Sequence, residues 1–225
     1  GIVRGPGHGC IVDGPNDTVW AFYTCCMCYG GKFERRIGYD PIGFDENGDI
    51  IATEATENPQ LAPGVLKNPE KGNGAGIVPL TQRRDPVESS AAPGRDGIYA
   101  TDDSMITWWQ PAPDDAEPTL TVNFEFSDGF DIYSARIIWR DVGLSIKKNY
   151  MAGAFQYVVE ALDGDGVWHT VLDKSQNTTD MNIDYLPLKP MRAFGVRLKI
   201  LGKPEHIEPG ITNFTVFGSW CPKEK

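Results

Sequence analysis

Hydrophobic and polar residues alternate with a period of two through most of the second half of the chain. Leu120, Val122, Phe124 and Phe126 alternate with Thr121, Asn123 and Glu125. Ala135, Ile137 and Trp139 alternate with Arg136 and Arg140, and Phe155, Tyr157, Val159 and Ala161 with Gln156 and Glu160. Phe194, Val196, Leu198 and Ile200 alternate with Arg197 and Lys199. Successive side chains of a strand point to opposite faces, so each run predicts a strand with one face inside. Asp163-Gly164-Asp165-Gly166 is turn chemistry, and it predicts a hairpin between the 155–161 strand and Trp168–Leu172. A final strand runs from Ile211 to about Gly218. With no amphipathic helix between them, these strands predict an antiparallel sandwich.

The N-terminal part reads as shorter strands: Cys10-Ile11-Val12, Val19–Tyr23, Arg36–Asp40 and a hairpin between Phe44 and Ile50-Ile51. Gly14–Asp17 supplies one turn and Gly30-Gly31 a break. Asn47-Gly48 makes the hairpin tip, because both residues tolerate positive φ. The Asp45-x-Asn47-x-Asp49 spacing resembles a calcium loop, but the glycine at its sixth position and the later Glu are missing, so a hairpin tip is the reading. Four strands within residues 1–57 predict one antiparallel sheet, which is too small to stand alone and needs a partner. Residues 58–84 hold Pro59, Pro63, Gly64, Pro69, Gly72, Gly74, Gly76 and Pro79 without periodicity, a linker composition. The predicted plan is a sheet over 1–57, a linker over 58–84, a sandwich over 85–220 and a tail over 221–225.

Composition narrows the partners. Among 225 residues, 25 Gly and 17 Pro favour short strands joined by turns. A net charge of −10 argues against nucleic acid and anionic membranes, and leaves neutral or cationic ligands open. No apolar run is long enough for a membrane span, and no signal peptide is written in the chain. Cys10, Cys25, Cys26, Cys28 and Cys221 are odd in number and clustered, which is no disulfide framework. Cys25-x-x-Cys28 lacks the second pair that a zinc site requires, so buried free thiols are expected. Most of the interesting chemistry falls in Ala100–Pro111, which gathers Asp102, Asp103, Ser104, Thr107, Trp108 and Trp109. One of two consecutive strand residues must point inward, and Trp108 is assigned to the core.

Two resemblances add to this picture. Ser89-Ser90, Tyr99–Asp103, Thr107-Trp108-Trp109, Tyr157–Asp163, Gly166-Val167-Trp168, Ala193–Leu198 and Ile211–Gly218 together resemble the discoidin, or coagulation factor 5/8 type C, family. Many family 32 carbohydrate-binding modules share its galactose-binding-like jelly roll. Residues 3–51 resemble the last blade of a family 43 glycoside hydrolase, a five-bladed β-propeller. That likeness rests on Gly5-Pro6-Gly7-His8, Trp20–Tyr23, Gly30-Gly31 before Arg35-Arg36, and Asp40-Pro41 with Phe44–Gly48. The fold class expected is therefore all-β: a jelly-roll β-sandwich preceded by a single propeller-blade-like antiparallel sheet.

The second resemblance implies an inverting glycosidase as the parent, with one carboxylic acid and one carboxylate facing each other across the sugar. In that family both come from the first blades, so no catalytic residue is assigned here; Asp13, Asp17 and Asp40 match no catalytic motif. The chain alone is expected to be inactive. His8 would face the propeller axis, close to substrate, metal or water, unless it is merely structural. Thr24 stands where the family often has His. The discoidin resemblance implies a structural Ca²⁺ held by Ala100 (through its carbonyl), Asp102, Asp103 and Thr107. Asn213 takes the place of the family's Glu and would leave the site weak. The alternative is a metal-free loop in which Asp102 or Asp103 caps backbone amides. Sugar contacts are expected from end loops, with Tyr99, Tyr150 and His206 as candidates.

The resemblances thus imply an accessory module for plant-type polysaccharide, with the rest of the propeller in the same or another chain, secreted or periplasmic. A discoidin-type adhesion module for protein or lipid, or a structural brace, are the alternatives.

Overall fold

In the computed structural model the chain divides into two units, Gly1–Val78 and Pro79–Lys225. The structure describes residues 3–29, 32–52, 57–59, 62–64, 77–125 and 128–220. The Gly30-Gly31 break, most of the 58–84 stretch, Phe126, Cys221 with its tail and the Cys28 side chain lie outside the described residues.

In the first unit, β1 (Val3–Gly14), β2 (Thr18–Tyr29), β3 (Lys32–Phe44) and β4 (Ile50–Ala52) pair antiparallel in sequence order. The strands outrun the apolar runs of the sequence, because backbone pairing continues through polar positions such as Cys25↔Arg36 and Cys26↔Arg35. Trp20, Cys25 and Met27 are buried. Tyr39 packs on Trp20 and on Phe22, with ring centroids 5.9 and 5.7 Å away. The Tyr23 hydroxyl donates to Asp40 at 2.5 Å, and Asp40 is buried. The β3–β4 tip is the expected one: Asp45 Oδ1 accepts from the N–H groups of Asn47 and Asp49. The described free thiols depart from expectation in part. Cys25 is buried, but Cys26 is only half-buried and Cys10 is exposed, because β1 is solvent-facing along nearly its whole length.

The second unit is built from two sheets. β5 (Val78–Pro79), β6 (Val87–Glu88), β7 (Thr119–Asn123), β8 (Phe130–Val142), β9 (Gln156–Leu162), β10 (Trp168–Lys174), β11 (Ile183–Ala193), β12 (Gly195–Gly202) and β13 (Glu208–Trp220) follow one another. One sheet has the order β10-β9-β12-β7-β6 and the other β11-β8-β13-β5. Between them lie Trp109, Leu120, Val122, Ile137, Trp139, Tyr157, Val159, Leu198, Phe214 and Val216, each 1% exposed or less. Leu120, Val122, Ile137, Trp139, Tyr157, Val159 and Leu198 are inward members of the alternations read from sequence. Each contributes on the order of 1.5–3 kcal/mol by leaving water.

Asp184 is the one carboxylate in the described core face, where its Oδ2 accepts from Trp139 Nε1 at 3.0 Å and Tyr157 Oη at 2.8 Å. Burial, with Asp184 alongside, pushes the Tyr157 phenol far above its ordinary value.

Two features differ from expectation. β11 shows no alternation because Pro187 and Pro190 interrupt it; as an edge strand it tolerates them, and its register slips between Pro187 and Met191. The end of the stretch read as a linker is woven into the sandwich. Leu80 N donates to the Val216 carbonyl at 2.7 Å, and Thr81 Oγ1 to that of Phe214 at 2.8 Å.

Candidate functional site

The Ala100–Pro111 loop follows a single 3-10 turn, Gly97–Ala100, and its polar groups largely serve one another. Asp102 Oδ1 accepts from Ser104 N at 2.9 Å and Oδ2 from Thr107 Oγ1 at 2.7 Å. Asp103 takes the left-handed region, φ 62°, which a short polar side chain tolerates. Ala100 is fully buried in the core. Asn213, expected beside this loop, is committed elsewhere: its Oδ1 accepts from Arg136 Nε at 3.3 Å and from Thr215 Oγ1 at 2.6 Å. Arg136 packs over Phe217, on the side of the sheet opposite the core, whereas Ala100 lies within the core. A guanidinium on the proposed ligand oxygen is the wrong partner for a cation site. Asn213 therefore does not join the loop residues Ala100, Asp102, Asp103 and Thr107 in this arrangement.

The tryptophan pair is also corrected. Trp109, not Trp108, is the core residue: it is fully buried, bridges Ile211 through the backbone and donates Nε1 to the Ser90 carbonyl at 2.9 Å. Strand alternation then turns Trp108 outward, where it is half-buried. The Arg95 guanidinium lies 3.3 Å from its ring centroid and that of Arg140 3.9 Å. A Cβ on Gly210 would meet the indole at 2.9 Å, so only glycine leaves room there. With both faces of the indole occupied, Trp108 is no free stacking platform.

An open aromatic surface is found at the same end of the β8–β13 pair, where Val142 faces Glu208 in register. The connection from β8 to β9 folds back on itself. Ser145 and Tyr150 exchange backbone hydrogen bonds at 3.1 and 3.0 Å around the turn Ile146–Lys148, and Asn149 closes it in the left-handed region. Tyr150 leaves this turn half-buried against the core. The turn between β12 and β13 supplies the partner. Ile207 is fully buried and anchors it, and His206, φ 64°, is held outward. The Tyr150 and His206 rings lie 4.3 Å apart, tilted by 30°. Lys148 Nζ sits 5.7 Å from the Tyr150 centroid, and Glu205 Oε1 3.4 Å from His206 Nε2. Gly143 keeps the loop close: its φ is 98°, and a Cβ there would stand 3.1 Å from the His206 carbonyl oxygen.

Two of the three sugar candidates are thus brought together from loops more than 50 positions apart in sequence. Tyr99 sits in the Gly97–Ala100 turn, and His8 is exposed on β1 where the register shifts between Gly7 and Cys10. The residues missed were Arg95, Lys148 and Glu205. Their neighbours in space are remote in sequence, so no spacing marks them.

Ser89 and Ser90 acquire a structural role. Both hydroxyls donate to Asp115 Oδ2 at 2.5 Å, and Glu117 N donates to its Oδ1 at 3.0 Å. Burial pushes the Asp115 carboxyl up, but these donors outweigh it and hold the group below its ordinary value. Asp115 lines a cleft of about 110 Å³ with Pro111, Pro113, Leu201, Glu208 and Pro209.

In sequence the chain matches no family model and no curated protein. In structure it is similar to carbohydrate-binding modules. A chitosan-binding module from a Paenibacillus sp. IK-5 chitosanase/glucanase superposes with TM-score 0.51 at 21% identity, covering 62% of this chain and 98% of that one. The Clostridium perfringens module CpGH89CBM32-4, solved with GlcNAc-α-1,4-galactose, gives 0.50 at 19% identity, covering 64% and 95%. The family 32 module of Clostridium perfringens NanJ, solved with galactose, gives 0.50 at 16%, covering 63% and 98%. The second unit thus has the galactose-binding-like β-sandwich fold of family 32 carbohydrate-binding modules.

Proposed function

We propose that the sandwich is an accessory carbohydrate-binding module and that sugar docks on the Tyr150–His206 surface. The observation that carries this reading is the ring pair itself, held 4.3 Å apart at the loop end of a fold whose relatives were captured with sugars. A sugar's apolar face packs on aromatic carbon, while Lys148, Glu205 and the imidazole offer hydrogen bonds to its hydroxyls. The finer proposal is that the first unit is the last blade of a family 43-like propeller acting outside the cell on arabinan- or xylan-type polysaccharide. Other blades, in the same or another chain, would then supply the carboxylates. This chain alone would cleave nothing, and turnover of aryl arabinofuranosides or xylosides would contradict that.

The direct test is a glycan array with the full chain and its Tyr150→Ala variant. Binding lost in the variant, at an unchanged melting temperature, supports the site; binding retained in full overturns it.

A second reading has one observation in its favour. Leu144, Ile146 and Met151 are exposed by 51%, 88% and 54% on the same loop as Lys147 and Lys148, a pattern suited to a lipid interface. Co-sedimentation with anionic vesicles, set against the net charge of −10, separates the two.

The calcium proposal is tested separately. A weak Ca²⁺ site at Ala100, Asp102, Asp103 and Thr107 would stabilise the folded state, so the melting temperature should be higher in excess Ca²⁺ than in EDTA; equal values would mean that Asp102 only caps its own loop.

A further inference from the structure

The carbohydrate reading leaves the Arg95–Trp108–Arg140 stack unused. Each guanidinium lies over the indole in a cation–π contact, which in itself consumes none of its N–H donors. The turn beneath Arg95 is itself fixed. Arg95 N donates to the Ala92 carbonyl at 2.9 Å, and the Arg95 carbonyl accepts from Gln110 N at 3.1 Å. Arg140 has a further partner within the fold, so the argument rests on Arg95. Among the described residues no carboxylate lies within ion-pair reach of Arg95, although the chain carries 31 Asp and Glu against 21 Lys and Arg. In a chain so rich in carboxylates, a pre-oriented guanidinium without one is a specific feature.

A half-buried guanidinium is weakly hydrated, and its planar fork matches a carboxylate or sulfate through two parallel hydrogen bonds. The overall negative charge acts at longer range and is screened beyond about 8 Å at physiological ionic strength. The stack stands at the loop end already described, since Arg140 lies three positions before Gly143 and Gly210 four after His206.

We propose that the Arg95–Trp108–Arg140 stack recognises the carboxylate or sulfate group of an acidic sugar, so that the module prefers an anionic polysaccharide. This rests on the carbohydrate reading and adds the ligand's charge class to it.

Affinity gel electrophoresis of the full chain tests it, with polygalacturonate, a sulfated galactan or neutral galactan in the gel, at low and at high salt. Retardation should be strongest in one of the acidic gels, identifying carboxylate or sulfate as the source, and should weaken with salt. Arg95→Gln should cut it about tenfold, the loss of one charge-assisted pair. Arg95→Lys, which keeps the charge but not the fork, should fall between. Melting temperatures of both variants check that the fold is intact. Retardation by neutral galactan alone overturns this inference and leaves the carbohydrate reading standing. Retardation by none of the polymers overturns both. Retardation by an acidic polymer that Arg95→Gln leaves unchanged removes the stack as its site.

Discussion

In the sandwich, the inward residues of two sheets meet and exclude water completely. In the first unit, the same alternation leaves large apolar side chains in solvent. Ile37 is 73% exposed, Ile51 59% and Ile50 53%, while Trp109 and Tyr157 in the sandwich are at 0%. Both units are regular antiparallel sheets, so strand formation is not what separates them. Among the described residues, the difference is a second layer. A period of two assigns side chains to faces, but it stabilises a fold only when another sheet covers one of those faces. Among its described residues the first unit buries only a small apolar set, including Trp20, Cys25, Met27 and Ile77, and leaves Ile11, Ile37, Phe44, Ile50 and Ile51 largely in water.

The largest break in this comparison should come from the core. Trp109→Ala removes a fully buried indole and its hydrogen bond to Ser90, and should cost about 3–5 kcal/mol in urea unfolding followed by far-UV circular dichroism. Ile37→Ala in the first unit should stay within about 0.5 kcal/mol, because little area leaves water when the unit folds. Equal effects of the two substitutions would mean that the first unit's apolar surface is as important to stability as the sandwich core.

The core that Trp109→Ala would open was largely legible. Leu120, Val122, Ile137, Tyr157, Val159 and Leu198 could be placed inside because the period of two records which face a residue occupies. That period says nothing where a loop joins a strand, and the two adjacent tryptophans were assigned in reverse for that reason. Their phase is set by the bridge from Trp109 to Ile211, a contact across a hundred positions of sequence. β11 was missed because an edge strand needs neither alternation nor a full set of donors, so Pro187 and Pro190 can sit in it. At the candidate site, Tyr150 and His206 could be named singly as polar aromatics in loops. That they touch depends on the β8–β13 register and on the left-handed turns at Asn149 and His206, which no local pattern specifies.

A smaller effect compares two tyrosine–carboxylate pairs. Tyr157 with Asp184 is in the sandwich core and Tyr23 with Asp40 is in the first unit; burial raises both phenols, and the neighbouring carboxylate adds to it. The protonated phenol is thus favoured in the folded state. The unfolded chain releases its proton near pH 10 while the folded chain retains it, so the stabilisation is complete below pH 10 and is lost as pH rises above it. For Tyr157 the slope approaches about 1.4 kcal/mol per pH unit, and Tyr157→Phe should remove that component. Tyr23→Phe should change the alkaline profile less, since water around the more open pair screens it. Identical alkaline profiles for the parent and Tyr157→Phe would show that the phenol ionises in the folded state.

The smallest effect isolates the turns. Asp45 and Asp163 use the same device, one carboxylate oxygen accepting two backbone N–H groups, from Asn47 and Asp49 in one hairpin and from Asp165 and Val167 in the other. Asp163 also contacts His169 Nε2 at 2.5 Å, and its backbone and imidazole donors hold the carboxyl below its ordinary value. The devices match, but the strands they join do not. β9 and β10 rest on a filled core, whereas β4 is three residues long and exposed at Ile50 and Ile51. Asp45→Ala should therefore speed amide exchange at Asn47 and Asp49 and through β4, because little else holds that hairpin closed. Asp163→Ala should speed exchange only at Asp165 and Val167, leaving the amides of β9 protected by the sheet. If exchange spread into β9 as readily as into β4, the turn rather than the second layer would be what secures the sandwich hairpin.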